Sequence, residues 1–597
     1  MAQWWRETTV YQVYPRSFQD SHGDGIGDIP GIISRLDHIA DLGFGTIWLS
    51  PFYRSPQEDF GYDVADYYSV APEYGTMDDV EQLIAQVHRR GMRIVFDMIL
   101  AHTSAEHPWF RESRASRSAP RSDWYIWRDG RRRSVRDTFL RDAPPGKPPS
   151  RPPNNWKAIT GVNGWQYEPL RDQWYYANFL SFQPDLNYRN PAVKAAMFDA
   201  VRFWLDKEVD GFRLDIFHAI YKDDRYRNNP FSLRVGQPVD SNDGANQKKL
   251  YTMNRPENFA LARELREFVD SHADAHAHDA NASGPAHAQT SEPVLLGEVF
   301  GAHHIIRQYL TDGPLVPPDV AGRPGLHVIF LFESLAFRFS ADFFRSLIEK
   351  YERLYPHPLV PVWVLGNHDQ KRWISRLRGD RRRARCLVLL QLTVRGIPVV
   401  YYGEEIGMED GAFPFRDALD PVARQFSWLP PPVARALGLY LNRDGCRTPM
   451  QWDSSRNAGF TGGDAEPWLP VHRDYRTVNV ENARRDPESL LNLYRDALCL
   501  RRESGALRCG TISLWGPGDL PAGGLPRNVL GYTRAYGGER KHVLINFGRR
   551  AVRCRIPTRI DETVGILLAT NAAAYLTDGV LGIPPFAGVI VGRAGEA

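Results

Sequence analysis

The chain has 597 residues, 43% hydrophobic and 24% charged, and 74 Lys and Arg against 71 Asp and Glu leave a formal net charge of +3. That length exceeds one simple core and predicts two or three domains. The near-neutral balance excludes a field that would draw the chain to nucleic acid or an anionic membrane. No apolar run approaches a membrane span, and the first residues, Met1 to Glu7, lack the basic head and apolar stretch of a signal peptide. Five cysteines (Cys386, Cys446, Cys499, Cys509 and Cys554) are odd in number and without metal-ligand spacing, so they read as reduced thiols of a cytoplasmic protein. With 16 Trp, 26 Tyr and 29 Phe, the chain has rings to spare for stacking on sugar faces.

Short apolar runs alternate with helical patterns. The first candidate strand is Val10–Tyr14, followed by Asp20-Ser21-His22-Gly23-Asp24-Gly25-Ile26-Gly27-Asp28, whose acidic residues alternate around glycines like the first half of an EF-hand loop. Strands are next predicted at Thr46–Leu49 and Arg93–Asp97. The stretch from about Thr103 to Ser181 is too long for an ordinary loop and predicts a small domain over one end of the sheet. Its basic, proline-rich segment Arg128–Arg151 reads as a solvated loop. Strands follow at Gly211–Asp215 and Val294–Glu298. The stretch Ser271–Ser291 before the latter holds four His and reads as a mobile insertion rather than a metal site. Strands at His327–Glu333, Val362–Gly366 and Pro398–Tyr402 bring the number to eight. After about Gly510, alternating runs such as Val529–Tyr536 and His542–Phe547 predict a terminal β-domain without catalytic signature.

This alternation predicts an α/β fold: a (β/α)8 TIM barrel with a lid subdomain inserted after the third strand and a C-terminal antiparallel β-domain. A doubly wound sheet would alternate in the same way. Acidic and His residues at the C-terminal ends of several strands favour the barrel, because barrel active sites are built there. The expected boundaries are 1–103 and 182–510 for the barrel, 104–181 for the lid and 511–597 for a C-terminal β-sandwich.

Four strand ends carry the chemistry. In Gly211-Phe212-Arg213-Leu214-Asp215, residues two apart share a face, so Arg213 lies beside Asp215 and favours its ionised form, as a nucleophile requires. Val294-Leu295-Leu296-Gly297-Glu298 delivers a carboxyl from an apolar strand, where burial and a neighbouring anion raise its pKa and suit it to be an acid. Leu365-Gly366-Asn367-His368-Asp369 and Asp97-Met98-Ile99-Leu100-Ala101-His102 close two further strands. Singly, each could be a plain ion pair or a helix cap.

Together these segments resemble the signature regions of the α-amylase superfamily (glycoside hydrolase family 13), and within it the oligo-1,6-glucosidase and α-glucosidase branch. Gln183-Pro184-Asp185-Leu186-Asn187, Gly61-Tyr62-Asp63 and Arg447-Thr448-Pro449-Met450-Gln451-Trp452-Asp453 support the likeness, which covers nearly the whole chain. The resemblance implies a retaining, exo-acting α-glucosidase acting on short oligosaccharides or sucrose. Asp215 would be the nucleophile, Glu298 the general acid/base, and Asp369 the group that binds ring hydroxyls and holds up the pKa of Glu298. It further implies that His102 and His368 hydrogen-bond the sugar, that Arg213 orients Asp215, that Tyr62 stacks on the ring, and that Asp63 and Arg447 grip the non-reducing end.

Two departures bear on metal. Ala101 stands where the family usually has a calcium-binding Asn, which argues against an ion between barrel and lid. In the Asp20–Asp28 loop the branch carries structural Ca2+ or Mg2+, which implies Asp20, His22, Asp24, Ile26 and Asp28 as ligands here, with His22 a poor donor for a hard cation. No organic cofactor is implied. Ile216, after the nucleophile, leans towards the Val that accompanies α-1,6 preference. His218 is equally a leaving-group-subsite residue or a packed histidine. A glucosyl transferase or sucrose isomerase would use the same intermediate, but Arg376-Leu377-Arg378-Gly379-Asp380 only approximates the isomerase motif Arg-Leu-Asp-Arg-Asp. A non-catalytic structural relative would carry a membrane helix and lack these carboxylates.

Overall fold

The computed structural model describes residues 3–132, 148–234, 241–283 (277–283 as backbone), 292–430, 433, 440–516, 525–556 and 564–593. Eight parallel strands close a barrel: β1 (Val10–Val13), β2 (Thr46–Leu49), β3 (Arg93–Met98), β4 (Gly211–Leu214), β5 (Val294–Gly297), β6 (Val328–Leu331), β7 (Val362–Val364) and β8 (Ile397–Tyr401). They pair in chain order, and β1 closes on β8 through Val10 opposite Val399. Nearly every strand residue is buried, because helices cover the outer face and side chains fill the inside. That is why the strands read as continuous apolar runs rather than alternating ones.

Alternate residues form the inner packing. Val10, Trp48, Val95, Val294, Leu296, Val328, Phe330, Val362, Val364, Ile397 and Val399 make one buried cluster. Its top layer is polar, since Asp97 on β3 lies in register with Arg213 on β4. At the foot of β4, Gly211 has φ +146°, and a Cβ there would stand 2.1 Å from the carbonyl oxygen of Val294. The close approach of β4 to β5, which carry the two central carboxylates, therefore requires glycine.

The flanking helices include α1 (Met77–Arg89), α2 (Pro191–Leu205), α3 (Pro256–Ser283), α4 (Ala341–Leu354) and α5 (Arg381–Thr393). The first is started by a Thr76/Asp79 capping box and buries Val80, Leu83, Ile84 and Val87 at helical spacing. The expected insertion at Ser271–Ser291 is corrected in part: α3 runs on through Ser283, because an Ala-rich stretch without Gly or Pro sustains a helix, while 284–291 lie outside the described residues.

Between β3 and β4, a helix (Pro108–Ala115) and a three-stranded antiparallel sheet (Trp127–Arg128, Gln173–Tyr176, Trp165–Glu168) form the lid around Ile126, Trp156, Trp165, Trp174 and Tyr176. Residues 133–147 of the expected basic loop lie outside the described residues. Backbone bonds from Leu186 N to Ala101 O (3.0 Å) and Thr103 N to Pro184 O (3.3 Å) tie lid to barrel. A five-stranded and a three-stranded antiparallel sheet follow from Thr511, sharing a core that includes Trp515, Leu544, Leu581 and Val589. Tyr532 bonds Thr393 at the end of α5 (2.6 Å) and joins this unit to the barrel. Among the described residues no helix is long and apolar enough to cross a membrane.

Gly211→Ala should lower stability by roughly 1–3 kcal/mol through forced overpacking and backbone strain. Urea unfolding followed by tryptophan fluorescence measures it, and an unchanged midpoint would mean that β4 and β5 can separate without cost.

Candidate active site

The strand ladders end one residue short of the carboxylates they present. Asp215 N still bonds Met98 O (3.0 Å), and Glu298 N bonds Leu214 O (3.0 Å), so both side chains emerge at the C-terminal rim. Beneath them Arg213 is buried and divides its guanidinium among three acids. Nη1 donates to Asp215 Oδ1 (2.7 Å) and Asp97 Oδ1 (2.6 Å), and Nη2 lies 2.6 Å from Glu298 Oε2 as an ion pair. Three buried carboxyls facing one cation cannot all be ionised cheaply. Burial, then the nearby Glu298 and Asp97, push Asp215 well above the usual Asp range despite the opposing pull of Arg213. Burial likewise lifts Asp97 to about 6 against Arg213. The group therefore holds a proton that free carboxyls would release.

Ile216 adopts φ +42°, a left-handed conformation costly for a β-branched residue, and its N–H thereby reaches Glu298 Oε2 (3.0 Å). The Ile216 N–H and the Arg213 guanidinium thus both meet Glu298 at Oε2. Asp215 Oδ1 takes the guanidinium, and Oδ2 is left unbonded among the described contacts.

Asp369 is held differently. Its Oδ1 accepts from Arg447 Nη2 (2.9 Å) and Arg443 Nη1 (3.2 Å), and His368 Nε2 lies 3.2 Å from Oδ2. Burial would raise its pKa, but the contact with His368 and the charges of Arg443 and Arg447 outweigh that and hold it below the usual range, so it is an anion.

The structure separates the remaining expected residues. Asp215, Glu298, Asp369, Tyr62, His102 and Ile216 line one cavity of about 690 Å³, within the range of small-molecule sites (about 300–1,000 Å³). Arg213, His368 and Arg447 lie behind its wall. His368 stacks on Tyr62 (centroids 5.3 Å, planes 6° apart) and bonds its hydroxyl (2.7 Å). Burial takes His368 down to about 3 and His102 to about 4, so both are neutral. His102 Nε2 faces the Tyr62 carbonyl (3.1 Å) and so carries the proton, leaving Nδ1 a bare acceptor.

Asp63 is not in this wall. Its oxygens accept from Ser55 Oγ (2.9 Å) and the backbone N–H of Glu58 and Asp59 (2.9 and 3.0 Å), which makes it the brace of its own loop. Asp59, four residues earlier, lines the cavity instead. It is paired with Arg443 (2.7 Å) and bonded by Gln183 (3.0 Å), which both line it too. Sequence reading missed Asp59 and Arg443. The sequence offered both members of each pair, Asp59 and Asp63, Arg443 and Arg447, four residues apart, but no signal of which reaches the cavity. His218 packs edge-on against Phe300 outside the cavity lining, and burial takes it to about 3, the packed-histidine alternative.

Residues 12–510 match the family model for the alpha-amylase catalytic domain. The chain belongs to the alpha-amylase family of glycoside hydrolases. It is 36% identical over 567 residues to a probable alpha-glucosidase of Rhizobium meliloti (93% of this chain, 91% of that protein). It is 33% identical over 592 residues to an oligo-1,6-glucosidase of Parageobacillus thermoglucosidasius (95% and 94%). Among solved structures it is similar to an alpha-glucosyl transfer enzyme, XgtA (TM-score 0.82, 34% identity, 99% and 100% covered). The trehalulose synthase MutB from Pseudomonas mesoacidophila MX-45 is also similar (TM-score 0.80, 29% identity, 99% and 100% covered).

The Asp20–Asp28 loop of this alpha-amylase relative is closed by its own donors. Asp20 accepts from the N–H of His22 (2.9 Å), Gly23 (2.7 Å) and Gly25 (2.7 Å) and from Thr461 Oγ1. Asp28 caps a helix through Gly31 N (2.6 Å) and receives Ser21 N and Ser21 Oγ (each 2.8 Å) and His22 Nδ1 (3.0 Å). Asp24 turns to Ile26 N (2.9 Å). As folded, most of the carboxylate oxygens expected to hold Ca2+ or Mg2+ are thus engaged by donors of the chain itself. An imidazole, raised in pKa chiefly by its bond to Asp28, answers that carboxylate where a cation was expected.

Adding Ca2+ or Mg2+ to metal-stripped enzyme should therefore leave its thermal midpoint in place, and a rise of several degrees would show that the loop reopens around an ion. The proton held among the carboxyls predicts a bell-shaped pH profile. A nucleophile at Asp215 would have to be ionised, so the acid limb of kcat/KM should lie above the ordinary Asp value (about 3.9). The alkaline limb marks loss of the acid's proton. An acid limb at or below that ordinary value would contradict the environment assigned to Asp215.

Proposed function

We propose that this chain is a retaining, exo-acting α-glucosidase that hydrolyses terminal α-linked glucose from short oligosaccharides or sucrose. The reading rests chiefly on one observation: Asp215 and Glu298 share the two ends of a single guanidinium at the floor of the cavity. Held by one fork, the carboxyls are close, as suits the spacing of retaining enzymes (about 5–5.5 Å) better than that of inverting ones (about 6.5–9.5 Å). Asp215 Oδ2 attacks the anomeric carbon while the proton on Glu298 Oε1 passes to the leaving oxygen. Glu298 then takes a proton from the water that releases glucose. Asp369, kept anionic by His368, Arg443 and Arg447, binds ring hydroxyls and stabilises the positive charge that develops on the sugar. The Asp59–Arg443 pair takes the place foreseen for Asp63 and Arg447: it walls off the cavity and limits the enzyme to chain ends.

Ile216, apolar and in the wall beside the nucleophile, supports acceptance of α-1,6-linked glucose at least as well as α-1,4. The cytoplasmic placement rests on thiols such as Cys386 and Cys446, free and buried in this fold. Transfer of glucose to a sugar in place of water is the second reading, favoured by the likeness to XgtA and MutB. Against isomerisation, Arg376 turns to Leu365 O and Asp380 caps α5, so neither is available to a sugar.

The test is a time course on maltose, isomaltose, sucrose and trehalose with anomer-resolved NMR. Early product should be α-glucose, and Asp215→Asn should reduce kcat by more than about a thousandfold with the fold intact. β-Glucose as first product, or substantial activity in that variant, would remove the retaining assignment. Glucosyl-sugars outpacing free glucose would select transfer.

A further inference from the structure

Outside the cavity, two of the helices that flank the barrel meet at a cluster the reaction does not use. Helix α2 ends in Asp206, and α3 carries His272 and His276 one turn apart on one face. His272 Nε2 lies 2.7 Å from Asp206 Oδ1 and His276 Nε2 3.9 Å from the same oxygen, with the two imidazoles stacked at 4.1 Å. One ligand atom from each residue falls within 4.8 Å of the other two.

A second observation bears on readiness. His276 Nδ1 is 3.0 Å from the His272 carbonyl, which can only accept, so the ring proton sits on Nδ1 and Nε2 presents its lone pair. An imidazole oriented by Nδ1–H on a backbone carbonyl is the usual form of a metal-binding histidine. The other convergent group, Asp270, Glu292 and His327, lacks this character. There Arg266 bonds Asp270 (2.7 Å) and Glu292 (2.6 Å), and Gln3 also donates to Glu292, so a guanidinium already fills the place of a cation. Among the described residues no Lys or Arg pairs with Asp206.

We propose that Asp206, His272 and His276 form a divalent transition-metal site that clamps α3 to the end of α2. Two imidazole nitrogens and one carboxylate oxygen suit Zn2+ and its neighbours, with water completing a tetrahedron, and disfavour the hard ions Ca2+ and Mg2+. On binding, the proton of His272 Nε2 moves to Nδ1 or leaves to solvent, and the ion replaces the hydrogen bond to Asp206. Binding to the folded chain alone raises its stability. The clamp grips the helix that precedes β5, the strand delivering Glu298.

Zn2+ titrated into the full-length, chelator-treated enzyme tests this by calorimetry and by the thermal midpoint. One Zn2+ per chain and a higher midpoint are expected, with no such effect from Ca2+. His276→Ala and Asp206→Asn should each weaken binding by more than about tenfold. His278→Ala/His287→Ala, which alters histidines further along the same stretch, should leave it unchanged. Absence of stoichiometric binding, binding that survives His272→Ala/His276→Ala, or binding lost only in His278→Ala/His287→Ala would each overturn the proposal.

Discussion

The site depends on one buried guanidinium. Arg213 contacts Asp97, Asp215 and Glu298 at once, and no other cation lies in direct contact with these three acids among the described contacts. The shortage of positive charge matters as much as its presence. With one cation per carboxyl, all three acids would be comfortably ionised and none could donate. With one cation for three, burial retains a proton and the fork fixes the orientation of the groups that exchange it. Asp369 stands outside this economy of protons because two arginines and a histidine contact it, although Arg443 also pairs with Asp59 and Asp420. The site thus contains an acid and a permanent anion, kept apart by which cations they touch.

The barrel supplies that arrangement through register. Asp97 and Arg213 are opposite one another on β3 and β4, and Leu296 on β5 faces Arg213 from the other side. The polar layer therefore sits one step above a wholly apolar interior, where desolvation is strong. Gly211 lets β4 approach β5 at the base. At the top, the left-handed turn at Ile216 directs its N–H at Glu298. Strain at that residue is offset by the bond it makes to a carboxylate, which is worth more than a bond between neutral groups.

Much of this was legible in the sequence, for identifiable reasons. All eight strands were found because burial on both faces writes them as apolar runs, and the ends of several were marked by acidic or His residues such as Asp215, Glu298 and Asp369. The split between Asp63 and Asp59 was not legible. Both lie in one short segment, and which of them faces the cavity is decided by Ser55 Oγ and two backbone N–H groups folding onto Asp63. Arg443 and Arg447 pose the same problem, one reaching the wall and the other standing behind it. The extension of α3 was misread because His, Asp and Ala in a low-complexity stretch suggest mobility when counted, yet none of them breaks a helix. Tertiary detail of this kind leaves no trace in composition.

In the Asp20–Asp28 loop the carboxylates of a metal-type motif are met by donors of the chain itself. Acidic residues around glycines draw the backbone into a tight coil whatever sits at its centre, so the sequence pattern alone reads as a metal loop. In this chain a ring nitrogen at position 22 can itself bond Asp28, both oxygens of Asp20 and of Asp28 accept N–H or O–H donors, and Asp24 accepts one from Ile26. A cation entering the coil would have to break several hydrogen bonds to gain ligands, one of which is an imidazole that hard ions accept poorly. At Asp206 the same chemistry has a different setting: the carboxylate is met by the imidazole of His272 and, among the described residues, by no Lys or Arg, while His276 presents a nitrogen lone pair. Whether an acidic cluster with histidine holds a metal is thus set by what else donates to its oxygens, a property of the fold around it.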